Sequence, residues 1–310
     1  MPELPEVETV RLGLSDHLPG ASIRAIEILD ERSLKRHLAG PKDFVKTLAD
    51  ARILGVARRG KFLWMPLELA GKPDSNLALV GHLGMSGQML IRDFGAEADK
   101  LTRIIIFVET PKGEQLEFRF VDQRIFGSLQ IDELVPTQDG APGGYSAGVG
   151  VGQSWLNLIP RSAAHIARDP LDDSFDEAAV LAKFKKKNSG IKRVLLDQGV
   201  LSGIGNIYAD EALWTCKLHY DYPANRISTA KARELIAAAR SILEKAVLAG
   251  GTSFDEQYKN VNGESGYFEV SLNAYGQTGK PCSRCGREIK RDSWMNRGSH
   301  FCPNCQKRSK

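Results

Sequence analysis

The chain has 310 residues, of which 42% are apolar and 26% are charged. That length allows two domains with hydrophobic cores, and the composition is that of an ordinary globular protein. The chain contains no run of 18 apolar residues, and its start, MPELPEVETV, lacks the basic and apolar blocks of a secretory signal. We therefore expect a cytoplasmic protein without a membrane span.

The net charge of +4 is concentrated at one end of the chain. Residues 280–310 contain nine basic and two acidic side chains, so the rest of the chain is net negative. A basic tail of this kind indicates a polyanionic partner. From charge alone, a solvated tail without a partner is an equally good interpretation.

The first part of the chain predicts a short helix followed by many strands. Pro5 suits an early helical position, and apolar residues recur from there to Gly20. The predicted strands are Ser22–Leu29, Ile53–Arg58, Phe62–Leu69, Leu77–Leu83, Gln88–Ile91, Arg103–Val108, Gln115–Phe120 and Gly127–Ile131, with a brief helix over Asp43–Leu48. Short strands separated by turn residues favour a β-sandwich or barrel.

The pattern changes after Pro136. Residues 136–152 are rich in glycine and poor in large apolar residues, which is typical of a linker. Helical periodicity then predicts Phe175–Lys187, Ile191–Gln198, Ile207–Lys217 and Ala230–Leu248, the last opened by a Ser228/Thr229 cap. A loop rich in glycine and asparagine follows, up to Gly266.

Four of the five cysteines form two Cys-x2-Cys pairs, which are Cys282, Cys285, Cys302 and Cys305. This spacing predicts one structural Zn²⁺ bound by four thiolates. Disulfides are the weaker alternative for a cytoplasmic protein. A unit this small needs the metal in order to fold, and the segment between the pairs has the length of a two-stranded hairpin.

Six cations surround the turn Asn188-Ser189-Gly190, among them Lys187 and Lys192. The next turn, Leu201-Ser202-Gly203-Ile204-Gly205, precedes Asn206, which we predict to be the N-cap of a helix. A helix start next to glycines and cations can bind a phosphate, so we predict DNA-backbone contacts by Lys187, Lys192 and Asn206. A Gly-x-Gly on its own is more often only a tight turn.

Together these motifs resemble the formamidopyrimidine-DNA glycosylase family, also called 8-oxoguanine DNA glycosylases. The resemblance is carried by residues 1–8 (MPELPEVE), Arg59-Gly60-Lys61, 82–87 (HLGMSG), 203–209 and the four-cysteine finger, all in family order. It implies an α+β fold of two domains. The first is an N-terminal catalytic β-sandwich with flanking helices (1–134). After a linker (135–170), the second combines a helix–two-turn–helix DNA-binding region (171–268, with a lesion-capping loop at 250–268) and a zinc-finger hairpin (269–310).

The resemblance also implies a mechanism for bifunctional excision of oxidised purines. Removal of Met1 would expose the secondary amine of Pro2, which attacks the deoxyribose and forms a Schiff base before β,δ-elimination. An α-amino group has a pKa of about 8, so a useful fraction is neutral at pH 7. By resemblance, Glu3 is an acid, Glu6 orients the N-terminus, Lys61 donates a proton and contacts phosphate, and Arg297 assists δ-elimination.

The family fills the space left by an extruded base with residues that match Met85, Arg124 and Phe126. Without the resemblance, core positions are the better interpretation of Met85 and Phe126. Two departures are Leu101, where a histidine is usual, and His300, where an aromatic or small residue is usual.

The expected partner is double-stranded DNA with oxidised purines or abasic sites, and the expected state is a monomer in the bacterial cytoplasm, associated with the nucleoid during repair. Two alternatives remain at this stage, an endonuclease VIII-like glycosylase for oxidised pyrimidines and a non-enzymatic zinc-finger protein that binds lesions. Leu4 favours the purine branch.

Overall fold

The computed structural model describes residues 2–146, 153–251, 261 and 272–308, with the backbone only at 73 and 74. The described chain forms two compact units. The first runs to His165 and includes Gly250, Gly251 and Val261, whereas the second comprises 166–249 and 272–308. Most of the predicted loop 250–268 lies outside the described residues. In the parts of the chain that are described, none of the helices has the length and apolarity needed to cross a bilayer.

The first unit is rich in antiparallel β-structure. Its helices are α1 (Leu4–Ser15) and α2 (Pro41–Leu48). Its strands are β1 (Ser22–Ile28), β2 (Arg52–Ile53), β3 (Ala57–Arg59), β4 (Phe62–Leu69), β5 (Lys72–His82), β6 (Gly87–Asp93), β7 (Thr102–Glu109), β8 (Gln115–Asp122), β9 (Ser128–Pro136) and β10 (Leu158–Pro160). Along β7, Ile104, Ile106 and Val108 are buried and their neighbours are not, as expected of a half-buried strand.

The ten strands form one sheet that folds over into two layers. Strand order is β10-β9-β5-β4-β2-β1-β7-β8-β6, with β3 beside β4. Although β5 and β6 are far apart in this order, Met89 of β6 packs on Gly81 of β5. The layers enclose a core of aliphatic and phenylalanine side chains to which α1 contributes Val7, Val10 and Leu14. The predicted α+β class with a β-sandwich first domain is confirmed.

The glycine-rich segment after β9 packs more closely than its composition predicts. Gly144 lies against the Trp64 ring and the Arg58 backbone with no space for a Cβ, and Tyr145 forms a β-bridge with Arg58. The linker interpretation is therefore wrong for 143–145, where glycine permits close packing. Residues 147–152 are outside the described part of the chain.

The described residues of the second unit form four α-helices and a hairpin. These are α3 (Glu177–Lys186), α4 (Ile191–Leu195), α5 (Asn206–Thr215), α6 (Thr229–Leu248), β11 (Lys290–Trp294) and β12 (Arg297–Phe301). The Ser228 hydroxyl accepts a hydrogen bond from Lys231 N, which confirms the predicted cap of α6. Between α4 and α5, the Gln198 side chain donates to the Leu196 and Ile204 carbonyls and accepts from Gly203 N, which fixes the double turn.

Candidate functional site

The four finger cysteines converge on one point. Their Sγ atoms all lie within 4.8 Å of one another. Four sulfurs around a tetrahedral zinc with Zn–S bonds of about 2.3 Å would be about 3.8 Å apart, so the cluster fits the predicted ion. The Trp214 indole N–H and the Cys305 backbone N–H point at the sulfurs of Cys282 and Cys302. Such donors stabilise thiolate ligands.

The hairpin of the finger presents Arg297 at its tip. Met295 and Asn296 both have positive φ, 45° and 58°, and they connect the paired residues Trp294 and Arg297. Two successive left-handed residues between paired strands form a type I′ turn. Arg297 is exposed, as a phosphate-binding side chain requires.

A buried ionic cluster joins this hairpin to the helices of the second unit. Lys192 Nζ lies 2.6 Å from Asp210 Oδ1 and donates to Ser299 Oγ and the Gly298 carbonyl. Asp210 Oδ2 accepts from the His300 backbone N–H at 2.9 Å and lies 3.1 Å from His300 Nδ1. The unusual His300 is thus a partner of Asp210.

Two residues that we predicted to contact DNA, Lys192 and Asn206, have partners within the protein. Lys192 is fully buried, so it cannot reach a phosphate in this geometry and the prediction that it contacts DNA is wrong. Asn206 is the first residue of α5, and the N-cap is Gly205. The Asn206 side chain instead donates from Nδ2 to the Gly298 carbonyl. Lys187 is half-exposed and pairs with Asp197 at 3.0 Å.

At the start of the chain, Glu3 and Glu6 form a reciprocal capping box. Glu3 N donates to Glu6 Oε2 at 2.8 Å, and the Glu3 side chain accepts from the backbone of Glu6. Pro2, Glu3 and Glu6 are all buried. Gly251, with φ of +85°, faces Glu6 so closely that a Cβ would lie 3.1 Å from Glu6 Oε1. The backbone next to Pro2 is therefore held in one orientation.

A second buried cluster fixes α1 on the sheet. Glu8 accepts from Arg11 at 2.8 Å and from Arg58 at 2.7 Å, and both guanidinium groups lie over the Tyr145 ring. Arg58 also donates to the carbonyl of Gly60, which precedes Lys61. Buried charges are stable only when paired in this way. Neither Arg58 nor Tyr145 was singled out from the sequence, because their partners are distant in the chain.

His82 lies next to three cations of the first unit. Burial, together with the charges of Arg36, Lys61 and Lys35, lowers the pKa of His82 from 6.5 to about 4. His82 Nδ1 accepts a hydrogen bond from Gly84 N, so the neutral ring carries its proton on Nε2. The Nε2–H of His82 is therefore a hydrogen-bond donor close to several cations, and such a group can bind an anion.

The remaining predicted residues of the first unit are exposed. Met85 is 40% exposed and Phe126 is 51% exposed, and Arg124 is also exposed. The core interpretation of Met85 and Phe126 is therefore wrong. Their exposure leaves all three side chains accessible to a binding partner.

Comparison with known proteins decides the family. The formamidopyrimidine-DNA glycosylase N-terminal domain matches residues 1–129, the H2TH domain of the same enzymes matches 166–257, and the zinc finger found in FPG and IleRS matches 279–308. The chain belongs to the formamidopyrimidine-DNA glycosylase family. It is accordingly a base-excision repair enzyme with glycosylase and abasic-site lyase activities, and its finger is the zinc-binding type.

Similarity to these glycosylases extends over nearly the whole chain. The formamidopyrimidine-DNA glycosylase of Leifsonia xyli is 54% identical over 309 residues, which are 99% of this chain and 100% of that protein. The Streptomyces coelicolor enzyme is 46% identical, with 99% and 98% covered. Lactococcus lactis Fpg in complex with DNA containing an abasic site has a TM-score of 0.77 and 30% identity, with 99% and 100% covered.

Proposed function

We propose that this glycosylase removes 8-oxoguanine and formamidopyrimidines from double-stranded DNA and nicks the strand at the resulting abasic site. The observation that carries the proposal is the capping box of Glu3 and Glu6, which orients the backbone beside Pro2. Relatives support the substrate class. One Lactococcus lactis Fpg variant is solved with DNA containing Fapy-dG, and MutM is solved with DNA containing carbocyclic 8-oxo-G.

Pro2 is the proposed nucleophile once Met1 has been removed. Its nitrogen lone pair attacks C1′ of the damaged nucleotide, the bond from C1′ to the base breaks, and the base leaves with a proton. Opening of the sugar ring gives an iminium, which acidifies C2′–H. Loss of that proton expels the 3′-phosphate, a second elimination expels the 5′-phosphate, and water releases the sugar fragment from the amine.

The neighbouring groups have distinct proposed roles. Glu3 supplies the proton for ring opening, and Glu6 positions the chain through the Glu3 N–H. Lys61 contacts a phosphate and supplies a proton during elimination, and the Nε2–H of the neutral His82 donates a hydrogen bond to a phosphate. Arg297 contacts phosphate from the finger tip and assists the second elimination.

Lys187 and Asn206 remain proposed contacts to the DNA backbone, since both are accessible in part. Phosphate contacts of this type fix the position of the protein without reading sequence. We also propose a cytoplasmic location, which is supported by free cysteines placed to bind zinc rather than to form disulfides.

Borohydride trapping on a duplex with one 8-oxoguanine tests this function. The protein with Met1 removed, as verified by mass spectrometry, should form a covalent adduct with the DNA. Pro2→Gly and a form with an uncleaved N-terminal tag should form little or none. Pro41→Ala, a proline substitution at the start of α2, is the matched control and should trap like the wild type.

Two results would overturn the proposal. Faster cleavage of thymine glycol than of 8-oxoguanine would place the chain with the enzymes for oxidised pyrimidines. Lesion binding without any adduct, in the wild type and in Pro2→Gly alike, would indicate a binding protein without enzymatic activity.

A further inference from the structure

Asp122, the last residue of β8, is a fully buried carboxylate to which the mechanism above assigns no role. Its Oδ1 accepts from Ser86 Oγ at 2.5 Å and from Arg124 N at 3.1 Å. Its Oδ2 accepts from Gly127 N at 2.7 Å. One carboxylate therefore binds both of the loops that carry exposed side chains, the loop with Met85 and the loop with Arg124 and Phe126. These three side chains are called here the exposed trio.

Hydrogen bonds also hold the backbone of Asp122 in place. Its N–H donates to the Leu101 carbonyl, and its carbonyl accepts from Arg103 Nε at 2.8 Å. Arg103 is in turn paired with Asp30 at 3.2 Å. Asp122 is thus fixed to the sheet and to the segment after β1. Loops that are hydrogen-bonded to its carboxylate are held in place by the same contacts.

The loop that carries Arg124 and Phe126 needs such an anchor because its backbone is strained at one residue. Ile125, between Arg124 and Phe126, has φ of +54°, a left-handed conformation that is unfavourable for a β-branched residue. Gly84 has φ of +63°, and a Cβ there would lie 2.5 Å from Gly127 N. The two loops therefore touch backbone to backbone, and they persist in this form only if surrounding contacts hold them.

We propose that Asp122 is a positioning residue for base extrusion, which holds the exposed trio in the arrangement that enters the DNA. The inference rests on the proposed function, because it takes these three side chains to fill the space left by the damaged base. Preorganised loops lose little conformational entropy on binding. The lower entropy cost should speed the reaction on duplex DNA, because there a base must leave the stack. Asp122 does not act on the sugar.

An amide cannot replace this carboxylate. The Ser86 hydroxyl and two backbone N–H groups all donate to the two oxygens of Asp122. Whichever way an asparagine is oriented, its NH₂ faces a backbone N–H, either of Arg124 or of Gly127. Ser86→Ala is a milder change that removes one donor to Asp122 and one acceptor for Arg124 N.

The test compares two substrates in single-turnover reactions. Asp122→Asn should slow release of 8-oxoguanine from a duplex about tenfold or more. It should leave borohydride trapping on a single-stranded abasic oligonucleotide unchanged, because that substrate has no base to extrude. Ser86→Ala should show the same selectivity with a smaller effect, and it carries the test if Asp122→Asn does not fold.

A double-mutant cycle separates positioning from general destabilisation. In a Met85→Ala/Phe126→Ala background, Asp122→Asn should have much less effect on the duplex, because the side chains through which it acts are missing. Equal slowing on both substrates, or additive effects in the cycle, would overturn the proposal. A wild-type protein that fails to trap on either substrate would instead contradict the proposed function.

Discussion

Lys192 Nζ and Asp210 Oδ1 lie 2.6 Å apart, and neither side chain has more than 1% of its surface exposed. Removing one member of such a pair leaves an uncompensated charge in the interior. Lys192→Ala should therefore lower the free energy of unfolding by about 3–5 kcal/mol, measured by urea denaturation of the zinc-loaded protein.

Lys187 provides the matched control, because its pair with Asp197 is half-exposed, at 44% and 39%. Lys187→Ala should change stability by less than about 1 kcal/mol. If Lys187 contacts phosphate, Lys187→Ala should also reduce the slope of log affinity for DNA against log salt by about one. Equal destabilisation by the two variants would contradict the buried role of Lys192.

Gly251 lies against Glu6 in a backbone conformation that suits only glycine, with φ of +85°. Gly251→Ala adds left-handed strain of about 1–2 kcal/mol and a methyl group next to Glu6 Oε1. Because Glu6 orients the Glu3 backbone, we expect slower adduct formation in borohydride trapping as well as lower stability.

Gly40 has a similar φ of +84°, but a methyl group at its Cα would meet no other atom within 4 Å, so this position separates the two effects. Gly40→Ala should lower stability to a similar extent and leave the trapping rate unchanged. Similar trapping rates in the two variants would show that Glu6 does not respond to the added methyl group.

The spacing of the cysteines and the alternation of β7 could be predicted because each depends on residues near one another in sequence. The position of Lys192 could not, because its partners Asp210 and Ser299 come from distant segments. The close packing of Gly144 could not be predicted for a similar reason. Glycine composition looks the same whether the backbone is solvated or pressed against a ring such as Trp64.

The N-cap of α5 shows a different limit. Gly205 and Asn206 are adjacent, and either can cap a helix. Only the backbone angles decide, and Gly205 has the extended conformation of a cap. The exposure of Met85 and Phe126 likewise depends on loop conformations, such as the positive φ of Ile125, that no local sequence pattern reveals.

Cys282→Ser should release the zinc, because three thiolates and a hydroxyl bind the ion much more weakly than four thiolates. Zinc content by metal analysis should fall from one equivalent to a small fraction, and DNA affinity at matched salt should fall with it. Cys216→Ala is the control. Burial raises the pKa of Cys216 to about 12, so it stays a thiol, and zinc content should not change. Loss of zinc from Cys216→Ala would contradict the assignment.

His82 should make stability depend on pH. Its folded pKa of about 4 lies below the ordinary value of 6.5, so between these values the unfolded chain binds a proton that the native chain does not. The contribution of His82 to the free energy of unfolding is therefore fully present above about pH 6.5. It is lost as the pH drops toward 4, and the loss is up to about 3 kcal/mol. Urea denaturation at pH 7, 6 and 5 measures this loss, and His82→Asn should remove its share of it. An NMR titration that gives His82 a pKa of 6.5 or above in the free protein would contradict both its burial and the effect of the cations around it.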